Sequence, residues 1–256
     1  MLRSLLIAFS MYSRIPVPRA EWKEEDMKYV LAFFPLVGLV ITAAEYIWLS
    51  LGKKTGLSAV FMGAVSVALP ELISGGIHLD GFIDTSDALA SYRTKEERLR
   101  ILKDPHVGAF AVIRVVTLYI LFFGAVYEIL MHGSAAGISY VFCFVFVLSR
   151  VMSAASAIFF RPAGNKGTLE AFGKAADRRP VIVMLAAEYI ASAAVMIYIQ
   201  PIAGVLVLVA SAAVMAAYRF ISERAFGGVT GDTSGWFLCV NECVLSLCLA
   251  MAAHLL

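Results

Sequence analysis

A chain of 256 residues that is 61% hydrophobic and only 16% charged, with a mean hydropathy of +0.83, is too apolar to hide its side chains in one water-soluble core. Soluble domains run at about 45–50% apolar and about 25% charged, so lipid must be part of this chain's solvent. The net charge of +2 argues against a nucleic-acid partner, and Cys143, Cys239, Cys243 and Cys248 lie in apolar stretches without CxxC spacing, which excludes a disulfide framework or a zinc ribbon.

Residues Met1 to Tyr12 are apolar around a single Arg3 and lack a small-residue cleavage site. They read as an interfacial helix that ends before Arg14-Ile-Pro-Val-Pro18, not as a signal peptide, within an interfacial N-terminal segment 1–28. Crossing the bilayer takes about 20 apolar residues. Seven segments qualify: 29–51, 56–74, 109–131, 136–160, 181–199, 202–220 and 235–256. Arg114, Arg150 and Glu242 fall inside three of them and must face the bundle interior or a polar cavity. Gln200-Pro201 alone separates the fifth and sixth, which predicts a tight helical hairpin. No repeat and no linker divides the chain, so the expected fold is all-α: one polytopic membrane domain, 1–256, of about seven transmembrane helices.

With seven spans, seventeen of the twenty-one Lys and Arg fall on one side of the membrane. Lys53 and Lys54 fall on the other, and Arg114 and Arg150 lie within it. Basic loops mark the cytoplasmic side. The expectation is therefore a multi-pass plasma-membrane protein with a cytoplasmic N-terminus. The long loops 75–108, 161–180 and 219–234 share the basic face. That is the layout of an enzyme working at one surface, and it places the active site on the cytoplasmic face.

The first of these loops carries Gly75-Gly-Ile-His78-Leu-Asp80-Gly-Phe-Ile-Asp84-Thr-Ser-Asp87. In a helix the three aspartates lie within about 60° of one another, rising about 6 and 4.5 Å along the axis. One Asp at the bilayer centre costs about 3 kcal/mol, so three cannot face lipid. Two bare carboxylates about 6 Å apart repel by roughly 3 kcal/mol at an effective dielectric of 20. A divalent ion relieves that repulsion, and an all-oxygen donor set suits Mg²⁺ or Mn²⁺. The competing reading is a solvated helix face with Asp80 or Asp84 as caps.

Downstream, Thr94-Lys-Glu-Glu97 has the form of a capping box opening a short amphipathic helix, Lys95 to Asp104. Lys103-Asp104-Pro-His106-Val-Gly108 then returns the chain to the membrane. Asp104 is a candidate for the metal shell, or a plain partner for Lys103 or Arg100; His78 and His106 are substrate contacts or ordinary structural histidines. Arg161-Pro-Ala-Gly-Asn-Lys166-Gly mixes glycines with cations as phosphate-binding loops do, though basic-side charge alone accounts for it equally well. Gly227-Gly-Val-Thr-Gly231-Asp232-Thr presents amides and one carboxylate at a helix start, or a turn with Asp232 as N-cap. Glu242, about three turns further along, needs a partner, with Arg114 and Arg150 as candidates.

The blocks Gly75 to Asp87, Ile101-Leu-Lys-Asp104-Pro-His-Val-Gly108, Gly227 to Thr233 and Ser13 to Pro18 together resemble the cobalamin synthase family, the adenosylcobinamide-GDP ribazoletransferases, in order and over nearly the whole chain. Two positions depart from that family's pattern: Ser234 stands where Leu is usual, and Cys239 where an acid is usual, while Glu242 matches. The resemblance implies a Mg²⁺-dependent transfer. The 3′-hydroxyl of α-ribazole, or of its 5′-phosphate, attacks the cobinamide-attached phosphorus of adenosylcobinamide-GDP and GMP leaves. On this reading Asp80, Asp84, Asp87 and Asp232 hold the metal, and Asp87 or Asp104 removes the hydroxyl proton. Asp80 also counts among the catalytic residues. His78, Lys103, Arg161, Lys166 and Gly231 contact substrate. The partners are small molecules and membrane lipid; a homo-oligomer and contact with other cobamide-pathway enzymes are compatible with it. The first rival is a CDP-alcohol phosphotransferase, whose ladder carries an Ala-Arg pair that is missing after Asp80-Gly81. The second is a cation transporter, which would place acids near mid-span on several helices; Glu45, Glu128 and Glu188 lie instead toward the opposite face.

Overall fold

The computed structural model describes residues 1–18, 23–133, 137–164 and 167–256. Among these the chain is helical throughout: α1 (Leu2–Tyr12), α2 (Val30–Thr55), α3 (Ala59–Ser74), α4 (Ile77–Ala90), α5 (Lys95–Ile101), α6 (Ala109–His132), α7 (Ile138–Cys143), α8 (Val145–Phe159), α9 (Thr168–Ala175), α10 (Arg178–Ile199), α11 (Pro201–Phe226) and α12 (Gly231–Ala253). Six helices are long and apolar enough to cross a membrane, with α7 and α8 counted as one. The segment expected as the second span is a 16-residue helix, α3, about 24 Å long. It passes the same test only together with α4, from which it is bent by 97°.

That bend is built by Gly75 and Gly76, at φ 74° and 80°. Two successive left-handed residues are easy for glycine and strained for any other type. Arg14 locks the elbow from outside: its backbone N–H donates to Ile73 O at 2.8 Å, and its side chain fills the space where a Gly75 Cβ would stand. The early Ser13-to-Pro18 motif thus braces the turn that aims the acidic helix.

Two expected loops, 161–180 and 219–234, are shorter than the sequence suggests. Residues 219–226 continue α11, 168–175 form α9, and α12 begins at Gly231 instead of 235. Hydropathy discounts Gly-Asp-Thr-Ser, but Thr230 and Thr233 form a reciprocal capping box that starts the helix there. Thr230 is therefore the N-cap, and Asp232 lies inside the first turn. The Thr94–Glu97 capping box forms as expected, opening a helix that ends at Ile101. Gln200 closes the α10–α11 hairpin, its side chain accepting from Ile202 N at 2.8 Å and Ala203 N at 3.2 Å.

Helices α2, α8 and α12 are the most buried, whereas α6, α10 and α11 turn most of their surface outward. Their exposed residues, among them Ile113, Ile120, Ile190 and Val209, form the apolar coat that lipid would cover. Inside, Arg150 Nη1 meets Glu242 Oε1 at 2.7 Å, both fully buried, and also donates to Phe146 O at 3.0 Å. Arg114 instead donates to Ser86 O at 2.8 Å, so Arg150 is the partner of Glu242. Removing one member of a buried pair leaves an uncompensated charge, at about 3–5 kcal/mol. Glu242→Ala is expected to lower the thermal unfolding temperature of the purified protein sharply, and the double variant Arg150→Met/Glu242→Leu to recover much of the loss.

The two ends of the bundle differ. One gathers α4, α5, the start of α12 and the loops beside them. At the other, Glu128 Oε2 meets His254 Nε2 at 2.9 Å and His132 Nε2 at 3.5 Å.

Candidate active site

Helices α4 and α12 cross backbone to backbone. A Cβ on Gly81 would stand 2.7 Å from Asp232 O, and one on Gly235 would stand 2.7 Å from His78 O. Only glycine permits this approach, and mid-helix glycine costs about 0.5–1 kcal/mol against alanine. The contact sets Asp80 and Asp84, either side of Gly81, against Asp232 across the interface. The negative charges interact: burial pushes the Asp84 carboxyl up to about 6, and Asp80, Asp232 and Asp87 add to the shift. Asp232 is also acted on by Asp80 and by Lys103.

Among the described residues no ion-pair partner lies within 4.0 Å of Asp80, Asp84 or Asp232. No three of the four aspartates bring oxygens within 4.8 Å of one another. Unpaired, all-oxygen carboxylates, Asp84 and Asp232 half-buried and Asp80 exposed, are the donor set that a hard divalent cation takes.

Asp87 is engaged differently. Its Oδ2 accepts from Gly108 N and its Oδ1 from Ala111 N at 3.0 Å, so it caps α6 from another helix. Asp104 is exposed and turned toward His106, whose Nδ1 lies 2.7 Å from Asp104 Oδ1 and whose backbone N–H donates to the same oxygen at 3.0 Å. These bonds hold the Asp104 carboxyl below its ordinary range. Lys103, on the same loop, is exposed.

The remaining loops are tied to the site by main chain. Val229 N donates to Arg161 O at 2.9 Å, and Ala163 N donates to Val229 O at 3.0 Å, a single parallel bridge that sets Arg161 beside the 227–230 turn. Lys166 lies outside the described residues. Gly231 has open space where a side chain would be.

Two cavities share the wall made by Thr168, Leu169, Gly231 and Asp232. The larger, about 630 Å³, is lined also by Lys103, Leu102 and Pro162. The smaller, about 180 Å³, lies between α1, α2, α4, α8 and α12 and includes His78 and Asp80. Burial holds the His78 imidazole far below its usual range, and the Arg150 charge adds to this. Tyr12 and Phe34, which flank His78 with ring centroids at 6.1 and 5.5 Å, were not singled out from sequence. Tertiary packing selects them, and no local pattern marks them.

A family profile described as cobalamin-5-phosphate synthase matches residues 4–250. The chain is 38% identical over 251 residues, 98% of its length and 94% of the relative's, to an adenosylcobinamide-GDP ribazoletransferase of Lachnoclostridium phytofermentans. It is 33% identical to the protein of the same name from Clostridium botulinum strain Alaska E43, covering 96% and 97% of the two chains. With that of Geobacillus sp. strain WCH70 the identity is 30%, over 91% and 89%. No solved structure matches.

Proposed function

The chain belongs to the cobalamin-5-phosphate synthase family, and from that premise we propose that it joins α-ribazole, or its 5′-phosphate, to the cobinamide phosphate of adenosylcobinamide-GDP at the cytoplasmic face of the plasma membrane. It is a membrane-embedded transferase of adenosylcobalamin assembly. The observation that carries the site is the Gly81–Gly235 crossing, which sets the early aspartates against Asp232.

In the proposed reaction the acceptor's 3′-oxygen bonds to the cobinamide-attached phosphorus, the phosphorus–oxygen bond to GMP breaks, and the hydroxyl proton leaves to a base. Little covalent work falls to the protein, so positioning and charge neutralisation dominate. Asp80, Asp84 and Asp232 would hold Mg²⁺, which when bound neutralises phosphate charge. Asp87 fixes α6 against α4 with one bond to each oxygen and keeps a lone pair on each for the metal or the hydroxyl proton. Asp104 serves through His106, orienting the imidazole as a base in the way a carboxylate orients a catalytic histidine. Lys103, beside the larger cavity, and Arg161 attract the diphosphate; Lys166 is assigned with them on sequence grounds alone. The excess of basic residues on the loops of this end supports the cytoplasmic orientation.

Purified protein in detergent or vesicles should release GMP from adenosylcobinamide-GDP only when α-ribazole or its phosphate and Mg²⁺ are both present, and chelation should stop turnover reversibly. GMP release without acceptor, or transfer undiminished in excess chelator, sinks the assignment.

A further inference from the structure

We propose that the smaller cavity is the seat of the acceptor's aromatic base, with His78 Nε2 donating the one hydrogen bond that the base can accept. The inference rests on the transfer reading above and adds to it which cavity takes which substrate.

The His78 side chain is 7% exposed, and its Nε2 is buried without a hydrogen-bond partner. An unpaired buried polar atom carries a desolvation cost of about 1–3 kcal/mol, which a ligand in the adjoining space can relieve. That space, about 180 Å³, is walled by Met11, Tyr12, Leu31, Phe34, Ala154 and Leu169 around His78. The wall is aromatic and aliphatic around His78, and its polar groups, Asp80, Ser153, Thr168, Asp232 and Ser234, complete the lining. Besides the corrin, three heterocycles enter the reaction: guanine, the adenine of the adenosyl group and the base of α-ribazole. Guanine and adenine each carry several donors and acceptors along their edges, whereas the aromatic side of this cavity offers the single Nε2 of His78. The dimethylbenzimidazole of α-ribazole is apolar except for one free ring nitrogen, an acceptor that an Nε2–H matches. The corrin ring is too large for 180 Å³. Asp80 and Asp232 belong to the wall of the same cavity, so a base lodged there brings its sugar to the carboxylates that the transfer needs. The larger cavity, with Lys103 in its lining and Asp232 in common, is left for the diphosphate and the corrinoid.

Three measurements test the assignment. In the transfer assay, His78→Ala should raise the KM for α-ribazole about 10-fold, the effect of one lost hydrogen bond, and leave the KM for adenosylcobinamide-GDP unchanged. His78→Gln, which keeps a donor, should recover part of that loss. With unaltered protein, an α-riboside of dimethylindole, which has the same outline without the acceptor nitrogen, should bind about 10-fold more weakly than α-ribazole; this arm needs no variant to fold. Binding of α-ribazole alone, followed by its own fluorescence without donor substrate or Mg²⁺, separates the two claims. Binding that depends on His78 in a protein releasing no GMP upholds the cavity and overturns the transfer reading. A KM shift confined to adenosylcobinamide-GDP, or equal affinity for the indole and benzimidazole ribosides, overturns the cavity.

Discussion

Asp80→Ala abolishes transfer, by about 10³-fold or more, as expected when a group that neutralises transition-state charge is lost. The variant still inserts and folds. Asp80 is exposed and makes no hydrogen bond or ion pair through its side chain, while its charge opposes those of Asp84 and Asp232. Deleting it removes repulsion, so without divalent cations the unfolding temperature should not fall below that of the unaltered protein. Mn²⁺ binding, followed by electron paramagnetic resonance, should weaken along with activity. Asp104→Asn provides the contrast. It disturbs the His106 imidazole and lowers kcat, yet leaves Mn²⁺ affinity where it was, because Asp104 bonds only to His106. More than a tenth of normal turnover in Asp80→Ala would take Asp80 out of the cation site.

The second large effect comes from adding one methyl group that touches no chemistry. In Gly81→Ala the new Cβ would stand 2.7 Å from Asp232 O and 2.9 Å from its Cα, and main chain cannot rotate aside as a side chain does. The helices must part, at about 1–3 kcal/mol of overpacking, and Asp232 moves away from Asp80 and Asp84. A misplacement of about 1 Å costs on the order of 10²-fold in rate, so kcat should fall by about that much while every carboxylate is still present. Gly124→Ala, the same change in α6 where a Cβ would meet nothing within 4 Å, should leave turnover unaltered. Equal activity in both variants would mean that the crossing does not set the geometry of the site.

The parts of the site legible in sequence are those written in local periodicity. The spacing of Asp80, Asp84 and Asp87 describes one helix face, and α4 is that helix. The Thr94–Glu97 box and the Gln200-Pro201 break act within a few residues, and both stand. What escaped depends on distant partners. The spacing places Asp87 with its neighbours; that its oxygens also accept from amides at Gly108 and Ala111, a cap made across helices, leaves no mark near either end. Glu242 could be seen to need a cation, yet choosing Arg150 over Arg114 took the packing of α8 on α12. The second span ends at residue 74 as expected, but α3 starts only at Ala59 and passes as a span only with α4; apolar composition does not register the elbow between them, although the Gly-Gly pair that makes it was in view. The facing of Asp80 and Asp232 was expected from motif likeness, and nothing in the intervening residues encodes it.

Because the carboxylates face one another only where α12 crosses α4, the site is assembled only after α12 has been made. Synthesis at about 5–20 residues per second separates Asp84 from Asp232 by roughly 7–30 s. Through that interval the nascent chain carries its early acidic stripe without the late aspartate. A chain lodged in the bilayer before α12 is made is therefore catalytically silent, and nucleotide joining begins only once translation has passed that helix.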